Sequence, residues 1–220
     1  MRHFDEELEQ LKVKLLEMSA YVDTAISRSV TAVVNKDKAA ADAVLKNEAS
    51  INQMEMLIDD LAIELLALKQ PMAGDLRLLT AVLKINSNLE RMGDLAVNMA
   101  LRAIDLMNEP VIHPMIDIPH IAGLVQSMVR KALDSFVSRD ENLARSVLAS
   151  DDAVDDLRNA SFHELISFME KSPRHILPAV NLLSIIRNLE RIADHSTNIA
   201  EGVLFYVKGI DVRHHAEMRE

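Results

Sequence analysis

The chain has no cysteine and no tryptophan, only five glycines in 220 residues, and an aromatic content of 3%. Without cysteine there are no disulfides, no thiolate nucleophile and no Cys-ligated zinc or iron–sulfur centre, so oxygen and imidazole remain as metal donors. The scarce glycines form no phosphate-cradling loop and no nucleophile elbow, and no His-Glu-x-x-His zinc motif occurs. Cations are also outnumbered: 24 Lys and Arg face 34 Asp and Glu, for a formal net charge of -10. Phosphate backbones are bound by clustered Lys and Arg, so a bare nucleic-acid surface is disfavoured and cations or basic protein surfaces are the expected partners. No uninterrupted apolar run approaches the roughly 20 residues of a membrane span. The opening Met1-Arg2-His3-Phe4-Asp5-Glu6-Glu7 is acidic and amphipathic, unlike a signal peptide. A soluble, cytoplasmic protein is expected.

What the chain has in quantity is aliphatic residues and methionine, 49% hydrophobic with twelve Met, a composition suited to long packed helices. Phe4, Leu8, Leu11, Leu15, Met18, Val22, Ile26 and Val30 step by four and three, which predicts one amphipathic helix ending near Asn35. Asp37 is the expected N-cap of a second, which carries Val44, Ile51, Met54, Ile58, Leu61, Leu65 and Leu68 as its apolar stripe before Pro71. A third spans about Ala73 to Met107. Pro110, Pro114 and Pro119 then cluster with Asn108 and Asp117, predicting a linker over 110–118 between a first unit, 1–109, and a second, 119–220. Three more helices follow: one through Ile121 and Phe136, one opened by Asp140 and stopped at Pro173, and one from Ile176 to about Lys208. The fold class is all-α, a tandem of two antiparallel three-helix bundles with small-angle crossings.

The two halves repeat one another. Asn88-Leu89-Glu90-Arg91-Met92-Gly93-Asp94 with Asn98 returns as Asn188-Leu189-Glu190-Arg191-Ile192-Ala193-Asp194 with Asn198. Upstream, Val34-Asn35-Lys36-Asp37 aligns with Val137-Ser138-Arg139-Asp140 at an offset of 103 instead of 100. Three residues are therefore missing from the second half near the Pro71 and Pro173 breaks, where loop length changes at little cost. A repeated hydrophobic pattern would not keep polar residues in register, so the acidic strip itself is kept or used.

With Leu89 at zero and about 100° per residue, the apolar residues of the third helix cluster around the core, while Glu90, Asp94 and Asn98 fall roughly 100 to 180° away. Glu190, Asp194 and Asn198 repeat this on the sixth helix, joined by Glu201. Glu48, Asn52, Glu55 and Asp59 share one flank of the second helix, and Asp151 with Asp155 one flank of the fifth. Facing i, i+4 carboxylates repel, and a bound cation relieves the repulsion. The candidate metal residues are thus Glu48, Glu90 and Asp94 in the first half, and Asp151, Asp155, Glu190, Asp194 and Glu201 in the second. Oxygen donors suit Mg, Ca, Mn or iron, with Zn compatible through His195 or water. Since 34 acids produce several i, i+4 pairs by chance, an isolated pair is more simply a solvated face; the duplicated strip is the stronger signal. Arg91 and Arg191 read as surface partners of the acids. His214-His215, His3 and His113 lack ligand spacing, and the Met residues read as core filler. Asn52 aligned with Asp155, and Arg158 aligned with Glu55, make the halves unequal, and the second is expected to bind metal more strongly.

Gln70-Pro71-Met72-Ala73-Gly74-Asp75-Leu76-Arg77, the two Leu-Glu-Arg-x-x-Asp motifs, Asp194-His195-Ser196-Thr197-Asn198-Ile199-Ala200-Glu201 and Tyr206-Val207-Lys208-Gly209 together resemble the PhoU family over nearly the whole chain. The resemblance implies two three-helix bundles in pseudo-twofold relation and a cytoplasmic, non-enzymatic accessory of the phosphate-specific ABC transporter. It further implies limited phosphate uptake and negative control of the phosphate regulon, through contact with the PstB ATPase and the PhoR sensor kinase. Homodimers and multinuclear iron or zinc clusters on paired Glu/Asp-x-x-x-Asp motifs are also implied. Two other classes stand beside it: a ferritin-like di-metal oxidoreductase, disfavoured because the chain has no Glu-x-x-His, and a metal-free helical scaffold.

Overall fold

The computed structural model describes residues 2–109, 116–171, 173–210 and 212, and in these every regular element is a helix. They are α1 (Arg2–Asn35), α2 (Lys38–Lys69), α3 (Ala73–Met107), α4 (Ile118–Ser138), α5 (Glu141–Leu148), α6 (Asp151–Lys171) and α7 (Ile176–Lys208), with one 3-10 turn at Pro173–His175. The predicted linker residues 110–115, together with His113, His214 and His215, lie outside the described residues, as does the side chain of His3. Pro119 sits in the first turn of α4, where its missing N–H is no loss.

Helix ends follow local chemistry. The Asp37 carboxylate accepts from Ala40 N–H at 3.0 Å, and Asp117 from His120 N–H at 3.0 Å. Asp140 accepts from both Asn142 and Leu143 N–H, at 2.8 and 3.1 Å. Each thereby satisfies donors that a helix start leaves open. Gly209, at φ 73°, closes α7 in the left-handed conformation that glycine adopts without a Cβ penalty.

The six-helix frame holds with one division: the helix expected from Asp140 to Pro173 is interrupted at Ala149 and Ser150. Ser146 Oγ donates to Leu143 O and Ser150 Oγ to Ser146 O, both 2.7 Å, so side chains compete for carbonyls that an unbroken helix would use. Asp151 and Asp152 then occupy the favourable first turn of a new helix. The equivalent stretch of α2, at Lys46 and Asn47, runs straight through.

Helix α3 packs on α1 and α2, α7 packs on α4, α5 and α6, and α3 packs on α7 to join the halves, with a smaller α1 to α4 contact beside it. The repeated Leu89 and Leu189 are both fully buried. Across the join Arg77 Nε donates to Tyr206 O at 3.3 Å, Gln126 Nε2 to Asp23 Oδ1 at 3.3 Å, and Arg130 stands 3.5 Å from Asp23.

Gly93 shows how tightly α2 lies on α3. A Cβ there would meet Ile51 Cδ1 at 3.0 Å and Cγ2 at 3.2 Å. In the second half the same two positions hold Ala193 and Val154, so one carbon has moved from one helix to the other. Helix propensity alone favours Ala over Gly by about 1 kcal/mol, but overpacking a filled core costs about 1–3 kcal/mol. Gly93→Ala is accordingly expected to be neutral to mildly destabilising, Ile51→Val to cost about 1 kcal/mol, and the double variant to be more stable than either single, in denaturant unfolding followed by circular dichroism.

Candidate metal centre

The acids of the repeated motif lie in two grooves, one between α2 and α3 and one between α6 and α7. In the first, Glu90 ionises less readily than an ordinary carboxylate because it is partly buried and because Asp94 and Glu55 add negative charge; Arg91 opposes the shift. Glu55 is raised in the same way by burial and then by Asp59, with Asp94 also contributing and Arg91 opposing. The first groove thus assembles Glu55, Asp59, Glu90 and Asp94. Arg91 answers them from the surface, 3.5 Å from Glu90 and 3.6 Å from Asp94, the role expected of it. At the buried edge Asn86 Nδ2 donates to Glu55 O at 2.9 Å and Asp59 Oδ1 at 2.8 Å. Its own Oδ1 is buried without a hydrogen-bond partner among the described residues.

In the second groove Asp194 is raised to about 6, first by burial and then by Glu190, Asp151 and Asp155, with Arg191 opposing. Asp151 is raised by burial and by Asp155, Asp152 and Glu190. Four of the five acids expected in the second half, Asp151, Asp155, Glu190 and Asp194, therefore share one electrostatic neighbourhood. An arginine shares it too: Arg158 Nη2 lies 3.4 Å from Glu190 and 3.7 Å from Asp155. Arg158 occupies the place of Glu55, so the second groove carries a built-in cation where the first carries a carboxylate.

Two expected residues, Glu48 and Glu201, are not among the charges that shift Glu90 and Asp194. Glu48 is two helical turns, roughly 10 Å, along α2 from Glu55. Glu201 lines an open cavity of about 320 Å³ between α3 and α7, with Lys84, Asn88, Asn198 and Phe205. His195 is half-buried, with Nδ1 2.8 Å from Asn88 Oδ1. The Asn88 amide nitrogen donates to Lys84 O at 2.7 Å, which leaves its oxygen to accept from the imidazole Nδ1–H. Burial, then Arg191 and Arg91, depress the His195 pKa. Glu55 and Asp59 were visible as a flank of α2, but their pairing with Glu90 depends on how far α2 slides along α3.

Among the described residues no three His, Asp or Glu side chains converge on one metal position. The donor chemistry nevertheless fits a hard or borderline cation: four carboxylates per groove, mutual repulsion that a cation would relieve, and in the first groove a buried amide oxygen with no partner among the described residues.

The family model of the PhoU domain matches residues 15–103 and again 118–203, one match per bundle. The chain belongs to the PhoU family. It is 40% identical over 214 residues to a protein of Pseudomonas aeruginosa described as a phosphate-specific transport system accessory protein PhoU homolog, covering 97% of this chain and 88% of the relative. A protein of Aquifex aeolicus with the same description is 38% identical, covering 94% of each chain. Among solved structures, PhoU from Pseudomonas aeruginosa superposes with a TM-score of 0.90 at 39% identity over 94% of this chain and 100% of that one. The phosphate transport system regulatory protein PhoU from Streptococcus pneumoniae gives 0.88 at 29% identity over 95% and 99%. This PhoU-family chain therefore carries the tandem, all-α architecture of two PhoU repeats.

The raised Asp194 predicts a pH dependence of the metal-free protein. A carboxylate whose folded pKa exceeds its unfolded value binds its proton more tightly when folded, so stability is highest below the unfolded pKa near 4 and falls as pH rises through about 6. Asp194→Asn removes this contribution; because Asp194 keeps solvent contact, screening makes the change modest. Thermal unfolding in chelator from pH 4 to 8 is expected to show a flatter profile for Asp194→Asn and a higher melting temperature than wild type at pH 7.5.

Proposed function

We propose that this PhoU-family protein is a non-enzymatic accessory of a phosphate-specific transport system, limiting phosphate uptake and repressing the phosphate regulon as an adaptor between the transporter ATPase and its sensor kinase. The observation that supports it most is similarity along almost the full length to proteins described as accessories of that system, with one PhoU repeat in each bundle. No helix among the described residues is long and apolar enough to cross a membrane, which suits a protein that works beside a transporter rather than within it. The partners expected are a PstB-type ATPase and a PhoR-type kinase, the compartment the cytoplasm, and the assembly a homodimer. Deleting the gene is expected to raise a phosphate-regulon reporter severalfold under phosphate excess; an unchanged reporter counts against the adaptor role.

Within that role the grooves bind metal ions, iron or zinc as a multinuclear cluster or else Mg, Mn or Ca. Glu55, Asp59, Glu90 and Asp94 would hold one group of ions, with Asp151, Asp155, Glu190 and Asp194 the other. Bound metal would neutralise carboxylates that otherwise repel across each groove. Arg158 would leave Glu190 and Asp155 when the second groove fills, and Arg91 would leave Glu90 and Asp94 when the first does. Protein purified without added ions is expected to contain metal by elemental analysis, with the content roughly halved in Glu190→Ala/Asp194→Ala. Unchanged, sub-stoichiometric metal in both proteins would remove the cluster while leaving the adaptor role intact.

A further inference from the structure

Helix α2 is the outer helix of the first bundle. It packs on α1 and α3 and is not part of the α3 to α7 and α1 to α4 join between halves. Its outward side is unusual. Met56, Leu57, Ile63 and Leu68 are exposed to 59%, 42%, 56% and 67%. At 100° per residue these four fall within an arc of roughly 140°, with Asp60 and Glu64 between them. Single exposed apolar residues are ordinary on protein surfaces, but here four line one face over about 18 Å of helix. From Asn47 to Leu68 the helix has five acids, Glu48, Glu55, Asp59, Asp60 and Glu64, and no Lys, Arg or His.

The repeat supplies an internal control. At the offset of 103, α6 places Asn159, Ala160 and Lys171 where α2 has Met56, Leu57 and Leu68, and Ile166, the match of Ile63, is half-buried. His163 and Ser167 replace Asp60 and Glu64. The same helix of the same repeat thus folds with a polar, largely acidic outer face, Asp152, Asp156 and Glu170 standing exposed beside Asn159 and Lys171, so the bundle does not require the apolar one. Asp60 and Glu64 are exposed, and neither is ion-paired among the described residues.

We infer that the outer face of α2 is a docking surface for a basic amphipathic helix of a partner protein. Such a helix would set Lys or Arg against Asp60 and Glu64 while its apolar residues cover Met56, Ile63, Leu57 and Leu68. Charge selects this occupant over the others. A second copy related by a twofold axis would bring Asp60 and Glu64 against their own images, and an anionic lipid surface would be repelled by the same pair. The inference rests on the adaptor role only for the identity of the partner.

The test uses the full chain and a Leu/Lys amphipathic peptide about five helical turns long, with a Leu/Glu peptide of the same pattern for comparison. The Leu/Lys peptide is expected to bind in a salt-sensitive manner and to shift the amide resonances of α2 around residues 56–68, while the Leu/Glu peptide does not bind. Asp60→Lys/Glu64→Lys and Met56→Gln/Ile63→Gln should each weaken binding at least about tenfold, or 1.4 kcal/mol. Asp152→Lys/Asp156→Lys, which makes the same change in net charge on the outer face of α6, should leave it within about twofold. Equal weakening by the α6 variant, or resonance shifts centred away from α2, would overturn the proposal. So would phosphatidylglycerol vesicles, or self-association in sedimentation, that depended on Met56 and Ile63. Failure of the reporter experiment with success here would remove the adaptor role and leave the docking face, and the reverse pattern would do the opposite.

Discussion

The packing of α3 against α7 is the constraint on which the rest of the molecule depends. Each is the central helix of its own bundle and also half of the seam between bundles, so each must bury residues over most of its circumference. The burial of Leu79, Leu89 and Met92 on α3 and of Ile185, Leu189 and Ile192 on α7 meets that demand. What remains of each helix surface is narrow, and the Glu-x-x-x-Asp pairs occupy it. The acids lie at the edges of the buried faces, beside the helix packed against them. Burial at the groove edge and like charge opposite it then raise the pKa values of Glu55, Glu90, Asp151 and Asp194 above the ordinary carboxylate range.

Most of this frame is legible in the sequence, for physical reasons. Stripes of Leu, Ile and Met with helical period persist over about thirty residues at a time, Asp37, Asp117 and Asp140 are caps whose chemistry is local, and prolines stand at the breaks. The division at Ala149 and Ser150 leaves no trace in hydropathy. Two serine hydroxyls turn back on carbonyls there, and because similar back-bonding at Thr80 and Ser196 leaves α3 and α7 unbroken, such hydroxyls do not mark a break in the sequence. The composition of the second groove was legible because Asp151 and Asp155 stand alone on their flank. The first offered Glu48, Glu55 and Asp59 on one flank, and choosing among them requires the axial register of α2 on α3. Hydrophobic periodicity reports which face is buried and says nothing about that translation.

The two repeats share their central buried residues and diverge at the grooves and the outer faces. Leu89 and Leu189 are equivalent, whereas Asn188 is buried and the more accessible Asn88 meets His195 across the seam, where the first half has Leu95. The grooves differ in sign at one position, Glu55 against Arg158, and the outer helices in polarity. The fold permits this because the grooves and outer faces lie away from the single core that runs through both bundles and the α3–α7 seam. Duplication thus provides two related surfaces that can take on separate partners without repacking the interior.

The exchange between Gly93 with Ile51 and Ala193 with Val154 constrains the order in which the halves drifted apart. From the Gly–Ile arrangement, adding the methyl first places it 3.0 Å from a buried side chain, whereas trimming Ile51 first leaves a gap that the methyl then fills. The two substitutions are therefore epistatic, and the easier route between the repeats passes through the crowded intermediate, where the helix propensity of Ala offsets much of the overpacking, instead of the underpacked one. Among homologous chains, Gly or Ala at position 93 should be found coupled to the size of the residue at 51.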